Sequence, residues 1–365
     1  MGDVAGRLRR SHPPPHPLGA HRPTRPRRRW LVAGVVAVLV AAVAGLAFGP
    51  VRLPPGAVVL EVINLLPGVE LDSGLEPRQA AIVTQLRLPR VVLGLLVGAM
   101  LALAGGCYQG TFRNPLADPY LLGVAAGAGL GVTLVIAVRG GVVGAMPVTV
   151  PMAAFAGALG AVTLTYLLGV AGGRDRSPAT LILAGVAVSA FLAAVQTFLL
   201  QRNLDTVAHV YTWLLGRLAG ANWHDVRLLL PYALVVAVVI LALRREMDVL
   251  SVGDEEATGL GLHPQRSRYL LLAAASLGTA AAVSVSGLIG FVGIIVPHLV
   301  RLLVGSSYRA ILPLSMLYGG AFLALADLAA RTLDAPREVP IGVLTAFLGA
   351  PFFILVLRTT RRVAV

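Results

Sequence analysis

The chain has 365 residues, of which 57% are hydrophobic and 13% charged, with a formal net charge of +13. That balance excludes a soluble domain and leaves a lipid bilayer as the solvent that suits the chain. All 30 basic residues are Arg, which excludes a P-loop with its phosphate-holding Lys and any Schiff-base lysine, and the lone Cys107 excludes an intrachain disulfide.

Residues 1–29 are rich in Arg, Pro and His, have no apolar period, and read as a disordered cytoplasmic tail. The apolar run that follows is long enough to span, and nine more come after it, which argues against a cleaved signal peptide. Hydropathy therefore predicts an all-α integral membrane domain over residues 30–365 with ten transmembrane helices. They are placed at about Leu31–Phe48, Val91–Tyr108, Leu121–Val138, Val148–Val170, Leu181–Leu200, Leu228–Leu243, Tyr269–Val285, Gly287–Val304, Ile311–Ala330 and Ile341–Leu357.

The second predicted span carries Gly94, Gly98, Ala102, Gly106 and Gly110 at every fourth residue, so one face is nearly bare and admits another helix backbone. The third repeats the pattern with Gly123, Gly127 and Gly131. Lipid gives helices little hydrophobic reason to associate, so such ladders mark helices inside a multi-helix assembly. Between them lies a polar hinge, Gln109-Gly-Thr-Phe-Arg-Asn-Pro-Leu-Ala-Asp-Pro119, where two prolines stop the helix and polar groups gather at one membrane surface.

With ten spans and the N-terminus inside, about twice as many Arg fall in cytoplasmic segments as in outer ones, which predicts that both termini are cytoplasmic. The Arg are dispersed over many loops, so the positive charge reads as a topology signal with lipid contact, and no nucleic-acid partner is expected. Of the 17 acidic residues, Asp327 alone falls inside a predicted span, four residues before Arg331, where an i,i+4 ion pair can form.

Several blocks now occur in a recognisable order: Arg87-Leu-Pro-Arg90, the hinge, Leu122-Gly-Val-Ala-Ala-Gly-Ala128, Leu181-Ile-Leu-Ala-Gly-Val186, Trp213-Leu-Leu-Gly216, Gly253-Asp-Glu-Glu-Ala-Thr-Gly-Leu-Gly261, Gly287-Leu-Ile-Gly-Phe-Val-Gly293, Pro297-His-Leu-Val-Arg301 and Glu338-Val-Pro-Ile-Gly-Val-Leu-Thr345. In this order they resemble the permease subunits of type II ABC importers for iron-siderophore, heme or vitamin B12, over residues 50–360. The resemblance implies an ATP-driven importer of a metal chelate in the bacterial plasma (inner) membrane. Its parts would be two permease subunits as a homo- or heterodimer, two cytoplasmic ABC ATPase subunits that bind ATP and Mg, and an extracytoplasmic substrate-binding protein. It implies an inverted repeat of spans 2–5 and 7–10, and no catalysis, cofactor or metal on this chain itself.

Matching positions imply site roles. Arg87, Arg90 and Arg331 would dock carboxylates of the binding protein, a task suited to the fixed, permanently charged guanidinium fork. The segment Gly253, Asp254, Glu255, Glu256, Ala257, Thr258, Gly259, Leu260 and Gly261 would couple to the ATPase as a short helix, with Asp254 as cap and the glycines as terminators. Asn114, Leu116, Ser177 and Thr180 would form cytoplasmic constrictions, with Gln196, Thr197 and Gln201 lining the path or bonding one another across helices. His298 reads as hydrogen-bonded structure rather than a heme or metal ligand.

Motif wording lies nearer to heme and B12 permeases than to siderophore permeases. An ion-coupled secondary transporter of a small organic solute is the alternative, and an integral membrane enzyme a further one. The scarcity of intramembrane acids argues against the first, and the lack of Lys and of clustered His, Asp and Glu against the second.

Overall fold

The computed structural model describes residues 28–138, 149–171 and 178–361, all helix, turn or irregular segment with no strand among them. The helices are α1 (Arg28–Ala47), α2 (Pro55–Ile63), α3 (Pro77–Ala81), which runs through a π-helical turn (Ile82–Arg87) into α4 (Leu88–Thr111), α5 (Val124–Val138), α6 (Thr149–Ala171), α7 (Pro178–Arg202), α8 (Val207–Leu214), α9 (Trp223–Ala242), α10 (Arg244–Leu250), α11 (Asp254–Gly259), α12 (Pro264–Ser286), α13 (Val292–Val304), α14 (Tyr308–Ala330) and α15 (Ile341–Arg361). Each of the ten expected spans coincides with a helix, and α2, α3, α8 and α10 are short helices in loops that hydropathy does not register. The expected tail falls outside the described residues apart from its last two, Arg28 and Arg29, which open α1.

Among the described residues, seven helices are long and apolar enough to cross a membrane. Two predicted spans are shorter than expected. The third begins at Val124 rather than Leu121 because Gly123 has φ +88°, and the eighth begins at Val292 because Gly287 and Phe291 adopt φ +70° and +67°. At 13 residues, α13 is only about 20 Å long, short of the ~30 Å hydrocarbon core.

The glycine ladder does what its spacing predicts. A Cβ at Gly98 would lie 2.2 Å from the Gly319 carbonyl oxygen, Gly94 faces the Ala324 Cα, and Gly110 faces the Tyr308 ring, so α4 lies backbone to backbone along α14. In the same way α5 is seated on α6, Gly127 against Gly157 and Gly131 against Ala153. Gly123 departs from the ladder reading: its role is the turn. Helices α4 and α12 are the buried centre, and α1, α7 and α9 form the periphery with exposed apolar side chains facing outward.

The two helix breaks meet. The Tyr120 hydroxyl, in the break before α5, donates to the Ile289 carbonyl (3.0 Å) and accepts from the Ile289 amide (3.1 Å) in the break before α13. Gly293 leaves room there for the Pro119 ring. Non-helical backbone inside a membrane protein needs such internal partners, because lipid offers none.

Candidate functional site

Two polar clusters stand at opposite ends of the helices. At one end, α1 finishes with the unsatisfied carbonyls of any helix C-terminus, and arginines from other helices satisfy them. Arg87 donates to the carbonyls of Leu46 (2.6 Å), Ala47 (3.2 Å) and Val51, and Arg331 donates to that of Gly45. Arg90 spreads its fork between two carboxylates. Its Nε and one terminal nitrogen bind Asp327 at 2.8–3.1 Å, and its outer edge binds Glu338 at 2.8 and 2.9 Å.

The structure therefore brings Arg87, Arg90 and Arg331 together as expected, but not as free arms. All three are buried, and each donates to acceptors within the chain. The expected i,i+4 ion pair between Asp327 and Arg331 is present, but it is the weaker of two. Its nitrogen and oxygen are 3.9 Å apart, without a hydrogen bond, and the carboxylate is hydrogen-bonded by Arg90, a residue 237 positions away. Glu338 is the exposed member of the cluster, and its hydrogen bonds to Arg90 hold its pKa below the usual glutamate value. Exposed guanidiniums near this cluster include those of Arg52, Arg78, Arg217 and Arg337.

At the other end, the hinge meets the segment between α10 and α12. The expected short helix is present as α11, but Asp254 is not its cap: Gly253 occupies that position, with no side-chain capping bond. Asp254 instead binds Arg268 through both oxygens, at 2.9 and 3.2 Å, and pairs with Arg113. Its pKa is depressed, chiefly by the Arg268 hydrogen bonds. Gly261, at φ +82°, ends the segment as its sequence suggests. Ala257 is fully buried, anchoring α11, whereas Glu255, Glu256, Thr258, Gly259 and Leu260 are exposed. Leu260 is 73% exposed and Val252 69%, apolar surface on an otherwise polar end.

The hinge itself is a tight turn. Asn114 accepts the Leu116 amide on its side-chain oxygen at 3.0 Å, and Leu116 is half-buried. Gln109 is buried and donates to the carbonyls of Gly293 (3.2 Å) and Ile294 (3.3 Å), while Arg301 donates to its oxygen at 3.3 Å. Asp248, on the short helix α10 that hydropathy does not register, accepts from Ser307 and from the Tyr308 amide and so caps α14.

The remaining path residues separate. Ser177 lies outside the described residues, and Thr180 is half-buried at the start of α7. Gln196 is half-buried against Gly129 of α5, whereas Thr197 and Gln201 share an exposed face of α7, with the Thr197 hydroxyl bonded to its own helix at Ala193. These three do not form one row, and no bond joins them. His298 also departs from expectation: its Nδ1 is buried without a hydrogen bond, and its ring stands edge-on to Phe352.

A profile of the FecCD transport family matches residues 36–359. The chain belongs to this family. Among its relatives, a cobalamin import system permease, BtuC of Halobacterium salinarum, is 48% identical over 79% of this chain and 76% of its own length. The Fe(3+)-citrate import system permease YfmE of Bacillus subtilis is 37% identical over 93% and 98%, respectively. The hemin transport system permease HmuU of Yersinia pestis is 40% identical over 75% and 82%. A solved metal-chelate type ABC transporter in an inward-facing conformation superimposes with a TM-score of 0.79 at 30% identity, covering 91% of this chain and all of that one. This FecCD chain is thus a multi-pass membrane protein whose relatives are transport permeases.

Proposed function

We propose that this chain is the transmembrane permease subunit of an ATP-driven importer that takes a metal chelate from a substrate-binding protein and releases it in the cytoplasm. The observation that carries the reading is the match to FecCD permeases along nearly the whole chain, joined to an exposed α11 at one end. ATP and Mg belong to a separate ATPase, because the sequence has no lysine for a P-loop. In this reading the protein sits in the plasma membrane as half of a permease dimer, with ten spans, cytoplasmic termini, and spans 2–5 and 7–10 as an inverted repeat. Support for the repeat comes from the matched pairs of long helix, non-helical break and following helix, α4 with α5 and α12 with α13.

Among chelates, cobalamin is favoured by the 48% identity to a cobalamin permease. The test is uptake of cobalamin, heme and ferric citrate into proteoliposomes that hold the permease and its ATPase, with the binding protein outside. Uptake should require ATP inside and favour cobalamin. Uptake by the permease alone under a proton or sodium gradient would refute the reading.

The ATPase is proposed to seat on α11, with Leu260 and Val252 entering its groove beside Glu255 and Glu256. Asn114, Leu116 and Thr180 are proposed at the cytoplasmic constriction, and Thr197 and Gln201 along the path. The binding protein is proposed to dock around Arg87, Arg90 and Arg331. Since Glu338 occupies the outer edge of Arg90, a partner carboxylate must displace it. Replacing Glu338 with Ala should then tighten association about fivefold or more, because a competing carboxylate is removed from a guanidinium already in place. Affinity measured on immobilised permease complex that stays the same or falls removes Arg90 from docking.

A further inference from the structure

The two parts of the cytoplasmic end that must act together, the seat of the ATPase and the constriction, are tied by one side chain. Arg113 follows directly on α4 and its capping residue and has φ +51°, a left-handed conformation that non-glycine residues seldom adopt without compensation. Its Nε donates to the Leu250 carbonyl at the end of α10 (2.8 Å), and its outer nitrogen pairs with Asp254 at the start of α11. One residue further on, Asn114 makes the turn that holds Leu116.

The Asp254 carboxylate has two unequal partners. Arg268 belongs to the long central helix α12 and its side chain is 2% exposed, so it is a fixed post. Arg113 is 40% exposed and sits on the turn, so it is the partner with freedom to move. Asp254 lies at one tip of α11, whose exposed face carries Glu255, Glu256 and Leu260. A push on that face is resisted through Arg268 and passed on through Arg113.

We propose that Arg113 is a positioning residue that makes the cytoplasmic turn follow α11, so that movement of the ATPase seat displaces Leu116 and opens or closes the constriction. The inference rests on the importer reading above. Neither Coulomb attraction alone nor a flexible tether would serve: the turn is held by two directed hydrogen bonds from one planar group, which fixes orientation as well as distance. A lysine at this position would keep the charge and one bond but lose the fork.

The experiment uses the assembled transporter, with the number of ATP molecules hydrolysed per chelate imported as the readout. Arg113→Gln should raise that ratio at least about fivefold over wild type, and Arg113→Lys should recover part of the loss, an ordering that a residue serving only to stabilise the fold would not give. Hydrogen exchange on the same complexes reports whether the turn follows. In the wild type, nucleotide should change protection of both α11 and the amides of Leu116 and Ala117. In Arg113→Gln the change at α11 should persist while that at the turn is lost. An unchanged ratio, or a turn that still responds to nucleotide in Arg113→Gln, overturns the inference and leaves the importer reading standing. If Arg113→Gln neither transports nor hydrolyses ATP, the exchange pattern decides alone. A wild-type complex with no ATP-dependent uptake overturns both.

Discussion

Replacing Asp327 with Ala is expected to destabilise the folded chain by about 3–5 kcal/mol, the usual cost of removing one partner from a buried, hydrogen-bonded ion pair. The reason is geometric. Asp327 is 3% exposed and lies between Arg90, whose fork it fills, and Arg331, whose Nε has no hydrogen-bonding partner. Without the carboxylate, two buried guanidiniums lose the anion between them, and half of the Arg90 fork is left without an acceptor. The ends of α1, α4 and α14 would lose their common fastening, since Arg331 also holds the last turn of α1. Thermal unfolding in detergent should show the midpoint lowered by roughly 5–10 °C. Glu338→Ala should lower it far less, because an ion pair with an exposed partner contributes only about 0–1 kcal/mol. Equal effects from the two substitutions would show that water reaches Asp327 and that the pair is not buried in solution.

The contrast between those carboxylates also marks the limit of what the sequence discloses. Ladders of small residues and the turn at Gly261 are legible because each is a local pattern with one physical meaning. Asp327 is visible as an intramembrane acid with Arg331 as an ion-pair partner one helical turn away, but its hydrogen-bonding partner is not, since nothing local points from Arg90 to a residue 237 positions away. Asp254 misleads for a related reason. An acid after glycine at a helix start reads as a cap, and the two arginines that claim it come from the hinge and from α12. The breaks at Gly123 and Phe291 are hidden because hydropathy runs on through them, while backbone conformation there is set by the contact of Tyr120 with Ile289. The Thr197 and Gln196 environments depend on which face of α7 meets α5, a choice its uniformly apolar sequence leaves open.

Two adjacent glycines on α4 give the last expected result, because they differ in what they touch and share everything else. A Cβ on Gly105 would lie 1.9 Å from the Gly293 carbonyl oxygen and 2.5 Å from its Cα, all backbone of α13. On Gly106 the nearest atom is the Leu312 Cδ2 at 3.1 Å, the tip of a side chain that can turn aside. Both substitutions to Ala gain the same helix propensity, about 1 kcal/mol, so the difference between them isolates the clash. Gly105→Ala should be less stable than Gly106→Ala by about 2–3 kcal/mol, the upper part of the range for overpacking, since backbone has to move. The consequence reaches beyond stability. Gln109, one turn further along the same helix, bonds to the Gly293 and Ile294 carbonyls, and the break that Tyr120 clasps lies just before α13. Displacing α13 therefore strains both attachments between the hinge and the second helix break, and uptake by Gly105→Ala should fall more than its fraction folded accounts for. Parallel melting and uptake measurements on the two variants check this, and equal stability would mean that α4 and α13 are not in backbone contact in the membrane.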